Sequence, residues 1–201
     1  MKFLSLCRAI ALTALLSIAA LPAMAQSLTT TYADNNGQSG VLFDLTPTVD
    51  MTIESFDANL RAESGSTDTV EVYWRAGTVD GNQTNSSGWT LLGSASVVSQ
   101  GRHNATPITI GGLAMTAGQT YGIYLRSLGG GIAYTNAEAP TVYSNADLSL
   151  TGYYGKGNGD PLLSGSTFTY RIFNGTVYYT AGPTTTCASE GYTGTKLEWC
   201  K

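Results

Sequence analysis

Few residues in this chain are able to do chemistry, and their spacing excludes several reactions. There is one histidine, His103, flanked by Arg102 and Asn104. A lone imidazole cannot form a His-x-x-x-His metal pair, and no Gly-x-Ser-x-Gly elbow is present to raise a serine nucleophile. His103 therefore reads as a solvent-exposed turn residue and not as a general base. Glycoside hydrolysis needs only two carboxylates about 5–10 Å apart, so a missing motif does not exclude it. Glu54, Asp57, Glu63 and Glu71 are the candidates. Glu71 alternates with Val70, Val72 and Trp74 and is placed to line a concave sheet. The simpler reading is an exposed strand residue paired with a neighbour such as Arg75. No catalytic residue is assigned.

Binding chemistry is better supplied. Twelve tyrosines and three tryptophans offer apolar rings with polar tips, the kind of surface on which flat sugar faces stack. Trp89, Tyr134, Tyr153 and Tyr154 lie near turn-rich stretches and are the candidate ligand-binding residues, whereas Trp74, Tyr121 and Phe173 read as core. The stretch 155–161, Gly-Lys-Gly-Asn-Gly-Asp-Pro, lacks the Gly-Lys-Ser/Thr ending of a phosphate loop. Its Gly-x-Gly-x-Asp order occurs once, whereas calcium-binding repeats stack many copies, so it reads as a flexible loop. No cofactor is expected. Asp34-Asn35-Asn36 and Asp80-Gly81-Asn82 supply hard oxygens, and a structural Ca²⁺ in one loop is the single exception left open; no metal ligand is assigned.

Short strands must position these residues. From Gln26 onward apolar runs of strand length alternate with turn residues, and no stretch has helical period over a useful length. The runs 27–32, 41–45, 51–60, 69–75, 91–98, 108–110, 121–128, 131–135, 141–144 and 148–154 are expected strands. A phase slip near Ser55 predicts a bulge in 51–60. Strand 91–98 is expected to pair with the region 108–110 across Ser99-Gln100-Gly101-Arg102, and 76–88 reads as a long exposed loop. Residues 168–180 are dense in aromatic and β-branched types around Asn174-Gly175. They predict either a hairpin turning at Asn-Gly or one long strand bent by a glycine bulge. About nine or ten antiparallel strands without interposed helices make a two-sheet β-sandwich of jelly-roll type.

Residues 1–25 have a basic opening in Lys2 and Arg8, an apolar run from Ala9 to Leu21 and a small-residue end at Ala23-Met24-Ala25. This is the pattern of a secretory signal peptide cleaved between Ala25 and Gln26, so a secreted location, extracellular or periplasmic, is expected. The apolar run is shorter than the ~20 residues of a membrane span, and no second run follows. Without Lys2 and Arg8 the chain keeps eight basic against fourteen acidic residues, a net charge of −6. That balance excludes nucleic acid and anionic membrane as partners, both of which need basic patches. Residues 26–181 are expected to form the sandwich domain. Pro183 and the threonines after it lead into a tail, 182–201, carrying Cys187 and Cys200. In an exported chain such a pair is most simply a disulfide. Closing about 14 residues contributes roughly 3 kcal/mol in the chain-entropy model.

Several pieces in fixed order carry a resemblance: Asn36-Gly37-Gln38-Ser39-Gly40, Phe43-Asp44-Leu45, Val70-Glu71-Val72-Tyr73 and Trp89-Thr90-Leu91-Leu92-Gly93-Ser94. The series continues with Ile110-Gly111-Gly112-Leu113, Ala117-Gly118-Gln119-Thr120-Tyr121-Gly122 and Asn174-Gly175-Thr176-Val177-Tyr178-Tyr179. Over most of 28–180 the chain resembles a bacterial secreted, jelly-roll-like β-sandwich domain of exported surface and matrix proteins. The resemblance implies export and a surface role but no defined activity. The tail, from Cys187 through Gly191-Tyr192-Thr193-Gly194 to Cys200, resembles a cysteine-containing C-terminal extension of bacterial exported proteins. That pattern runs on with further cysteines, which leaves the partner of each cysteine open.

The expectation is a secreted, non-catalytic β-sandwich module for binding or adhesion, with a glycan or cell-surface polymer as partner. The alternative is a structural matrix or surface-layer component that self-associates through strand edges or the tail. A polysaccharide hydrolase ranks third.

Overall fold

The computed structural model describes residues 25–182. The signal peptide expected over 1–25, apart from Ala25, and the tail with Cys187 and Cys200 lie outside the described residues. Among those described there is no helix, and none therefore long and apolar enough to cross a membrane.

In chain order the strands are β1 (Ala25–Thr29), β2 (Asn36–Gln38), β3 (Gly40–Pro47), β4 (Met51–Asn59) and β5 (Thr67–Ala76). Next come β6 (Thr90–Val98), β7 (Ala105–Ile108), β8 (Leu113–Met115), β9 (Tyr121–Ser127) and β10 (Ile132–Asn136). The last are β11 (Thr141–Ser144), β12 (Leu148–Lys156), β13 (Thr167–Thr169), β14 (Arg171–Phe173) and β15 (Gly175–Ala181). The chain is all-β, an antiparallel sandwich. A five-stranded sheet of order β1-β15-β4-β7, with β8 also on β4, faces a seven-stranded sheet of order β11-β12-β3-β9-β5-β6, with β13 also on β12. A small third sheet, β14-β10-β2, accompanies them.

Alternation explains the core. Val41, Phe43 and Leu45 of β3, Val70 and Val72 of β5 and Ile123 and Leu125 of β9 point one way from the seven-stranded sheet. They meet Ile53, Phe56 and Ala58 of β4 and Val177 and Tyr179 of β15. The ring of Phe173 stacks on Phe43 at 4.5 Å between centroids, joining the third sheet to the same core. The bulge expected near Ser55 is present. Tyr178 pairs with Ser55 and Tyr179 with Ile53, which makes Glu54 the extra residue.

Three expectations about connectivity need correction. Fifteen strands are described where nine or ten were expected, and four of them, β2, β8, β13 and β14, are only three residues long. A pairing that short has no period to read. Strand 91–98 does not form a hairpin with 108–110: β6 pairs β5 in one sheet, and β7 pairs β4 in the other. The chain changes sheets at Ser99, whose hydroxyl donates to the Ala62 carbonyl at 2.8 Å, and at Gly101, which takes φ +83. Residues 168–180 form neither a hairpin nor one bent strand. They contribute β13, β14 and β15 to three different sheets.

Gly175 marks the last of these corners, and it does not adopt positive φ. A Cβ there would overlap the Asp57 carbonyl and the Phe173 ring. Asn174 is fully buried; its backbone carbonyl accepts from the Asn59 amide at 3.0 Å and its side-chain oxygen from Thr135 Oγ1 at 3.1 Å. Asn-Gly is here a packing corner and not a turn.

Candidate functional site

The face of the seven-stranded sheet that points away from the core is ordered in cross-strand rows, because opposite residues in an antiparallel sheet share a face. One row runs Lys156, Gly40, Arg126, Glu71 across β12, β3, β9 and β5. The next runs Tyr154, Leu42, Tyr124, Tyr73, and the third Thr151, Asp44, Gly122, Arg75. A face of this kind would normally be wet. Here its centre is buried under two loops, 77–89 and 157–166, in a second apolar cluster of Leu42, Val79, Tyr124, Tyr154 and Leu163.

Polar contacts hold the first loop down. Asp44, 5% exposed, accepts from Thr78 Oγ1 at 2.5 Å and from the Val79 amide at 2.8 Å. The Tyr154 hydroxyl donates to Asp80, and Trp89 Nε1 donates to the Asn82 carbonyl at 3.3 Å. The stretch 76–88, expected to be an exposed loop, is a loop whose Val79 is completely buried. Gly122 permits the close approach, since a Cβ there would lie 2.9 Å from Val79 Cγ1.

The rings gather on this face. Tyr73 stacks on Tyr124 at 6.1 Å, and Trp89 meets Tyr124 edge-on at 6.2 Å. Tyr154 lies 5.8 Å from Tyr153 and 6.3 Å from Tyr170. Consecutive strand residues normally face opposite ways, yet Tyr153 and Tyr154 share this cluster. A bulge in β12 is the reason: Gly152 pairs with Phe43 and Tyr154 with Leu42, which leaves Tyr153 as the extra residue.

Of the four ring residues proposed from sequence, Trp89 and Tyr153 are half-buried on this face, and Tyr154 is buried within it. Tyr134 is a correction. It is fully buried in the main core on β10, where alternation along Ile132–Asn136 turns it inward, and it is withdrawn from the candidate surface. Tyr73, Tyr124, Tyr170 and Arg126 were missed. The even spacing of Tyr124 and Arg126, out of phase with Ile123 and Leu125, was the available signal.

One ion pair lies on the face. Arg126 Nε donates to Glu71 Oε2 at 2.7 Å, the Tyr73 hydroxyl donates to the same oxygen at 2.9 Å, and the guanidinium lies 5.7 Å from the Tyr73 ring centroid. Glu71 thus pairs with Arg126 on the adjacent strand and not with Arg75, which lies two rows away and sits over Trp89 at 5.9 Å. Burial would lower the Arg126 pKa, but the hydrogen bond and charge of Glu71 raise it overall. Burial first, partly offset by Arg126, pushes the Tyr124 phenol up to about 12. Burial and then the Asp80 bond push Tyr154 up as well. Lys156 is fully buried, donates to Thr167 Oγ1 at 2.7 Å and has its pKa lowered by desolvation. Beside Arg126 an open cleft of about 310 Å³ is lined by Asn158, Gly159, Asp160 and Leu162.

The chain matches no protein-family model and no curated protein. What the face can do must therefore follow from its own geometry. It presents partly exposed rings, a guanidinium–carboxylate pair and a polar cleft.

The other candidates lie elsewhere. Glu54 and Asp57 are on β4 in the opposite sheet, where Asp57 accepts from Tyr178 at 2.7 Å, and Glu63 is in an exposed turn. None of them joins Glu71. His103 is exposed, as expected, but it is not isolated: Nδ1 stands 2.9 Å from Oδ1 of Asp34, a carboxylate that also receives Arg102 and Asn59. The Asp34 oxygens offered to calcium are therefore already engaged, and Asp80 is engaged by Tyr154. Among the described residues no three His, Cys, Asp or Glu side chains are grouped to hold an ion.

Proposed function

We propose that this chain is a non-catalytic, exported binding module that takes a glycan or cell-surface polymer on the outer face of its seven-stranded sheet. One observation carries the reading. Tyr73, Trp89, Tyr153 and Tyr170, all half-buried, converge on that face beside the Arg126 cleft, on a sheet held rigid by its own hydrogen bonds. Rings fixed in this way bind flat apolar sugar faces at little entropic cost, and the adjoining polar groups orient hydroxyls. The carboxylates of the face support a binding role, because Glu71, Asp44 and Asp80 each accept hydrogen bonds from the protein itself. Export, and membership of the jelly-roll-like class of surface domains, rest on residues 1–25 and on the ordered motifs between 36 and 179.

The test is retention of the purified chain on a panel of immobilised glycans and cell-wall polymers, with and without Ca²⁺. Saturable retention by a subset is expected. Trp89→Ala should weaken it about tenfold, the loss of one stacked ring, and Asn158→Ala, at an exposed position in the cleft, should weaken it without changing the melting temperature. Retention on no polymer, or retention indifferent to both substitutions, would overturn the proposal.

A further inference from the structure

The seven-stranded sheet ends in β6, Thr-Leu-Leu-Gly-Ser-Ala-Ser-Val-Val, which among the described residues pairs only with β5. Edge strands expose a row of unpaired backbone donors and acceptors, and natural proteins blunt them with charge, proline or brevity. Two other edges among the described residues follow that rule. β11, at the far end of the same sheet, has four residues, and β7 carries Pro107. β6 has nine residues, no charged side chain and no proline. Leu91 and Val98, 48% and 55% exposed, are two of the four exposed large apolar residues among those described. The strand is irregular only at its start, where Leu92 is the extra residue opposite Val72 and Tyr73. At its other end Gln100 Nε2 donates to the Val98 carbonyl at 3.1 Å. Between them lies a clean free edge.

We infer that β6 is a homodimerisation edge, pairing antiparallel with β6 of a second copy to join two seven-stranded sheets into one. A second copy is the fitting occupant because a two-fold axis presents the strand to itself, and a strand without charge meets itself without like-charge repulsion. The register is constrained. Ala95 and Val97 face the core, whereas Ser94, Ser96 and Val98 face out. Opposed residues share a face, so a two-fold pairing that keeps core side on core side places a residue on the axis, either Ala95 or Ser96. In the first case Ser94 faces the partner's Ser96; in the second Ser96 faces its own symmetry mate. Both arrangements keep the two aromatic outer faces on the same side of the joined sheet. The dimer stands independently of the glycan reading, and if that reading holds it makes the surface bivalent.

Sedimentation of the chain, in the presence of reductant so that no intermolecular disulfide contributes, should show mass rising from one copy to two with concentration. Ser94→Lys with Ser96→Lys, both exposed, should hold the protein monomeric, with a single cooperative melting transition showing that it is folded, as should the corresponding glutamate pair. An equimolar mixture of the two variants should recover the dimer, since either register then opposes Lys to Glu. Hydrogen exchange on the unsubstituted chain reads the same edge without any variant: amides in 93–98 should gain protection at high concentration. A chain monomeric throughout, a lysine variant that dimerises as before, a mixture that stays monomeric, or no gain in protection would each overturn the inference. Glycan retention by a chain that stays monomeric would sink the dimer and leave the binding proposal intact.

Discussion

Asp44 accepts two hydrogen bonds, yet burial outweighs them and, with the nearby Asp80 charge, raises its pKa above the ordinary 3.8. Asp34 has a side chain with no exposure. Burial raises its pKa too, but bonds from Arg102 and Asn59 and the charges of Arg102 and His103 carry the net shift below 3.8. The two acids therefore act on stability in opposite senses. A raised folded pKa means that the Asp44 contribution is complete below 3.8 and is lost as pH rises through the folded value. A lowered one means that the Asp34 contribution is present above 3.8 and is lost as pH falls through the folded value. Urea unfolding between pH 7 and pH 3 should show both. The stability of the wild type relative to Asp44→Asn should increase as pH falls. Relative to Asp34→Asn it should stand at about 1–3 kcal/mol near neutrality and shrink on acidification. Curves that stay parallel for either variant would count against the corresponding assignment.

Strands in this protein are joined by corners that depend on missing side-chain volume. At Gly175, between β14 and β15, any Cβ meets the Asp57 backbone and the Phe173 ring. Gly175→Ala should cost about 1–3 kcal/mol, the usual penalty of overpacking, read from the shift in the urea midpoint. Gly65 takes φ +85 in an exposed turn with open space around it, and alanine there should cost about 1–2 kcal/mol from left-handed backbone strain alone. Equal m-values would show that both substitutions change stability without changing the surface exposed on unfolding. These two glycines look alike in the sequence. The difference lies in what stands next to each, and contacts between residues as distant as 57 and 175 leave no local mark.

The whole molecule combines one core with one covered outer face, and its loops are held by protein groups. Thr78, Val79 and Tyr154 bind down Asp44 and Asp80, and Arg102 and Asn59 hold Asp34. Chelation with EDTA is therefore expected to leave the melting temperature of the chain unchanged. A fall of several degrees, restored by Ca²⁺, would place a structural ion that these contacts do not account for.

Composition and alternation were enough to assign the all-β class, the antiparallel sandwich, the bulge at 54–55 and the shared face of Val70 and Val72 on β5, because a strand's two faces are written in consecutive residues. The same pattern marks Tyr73 as outward, though not what it faces. Tertiary structure alone decided that 168–180 divides among three sheets, that β6 and β7 part company, and that Tyr134 turns into the core. It also decided that Tyr153 joins Tyr154 through a bulge and that Arg126 takes Glu71 from the nearer Arg75. Each of these outcomes depends on register between segments many residues apart, and a slip of one residue would reverse every face. Local sequence states a strand's periodicity; only the assembled sheets determine its partner and what covers its outer side.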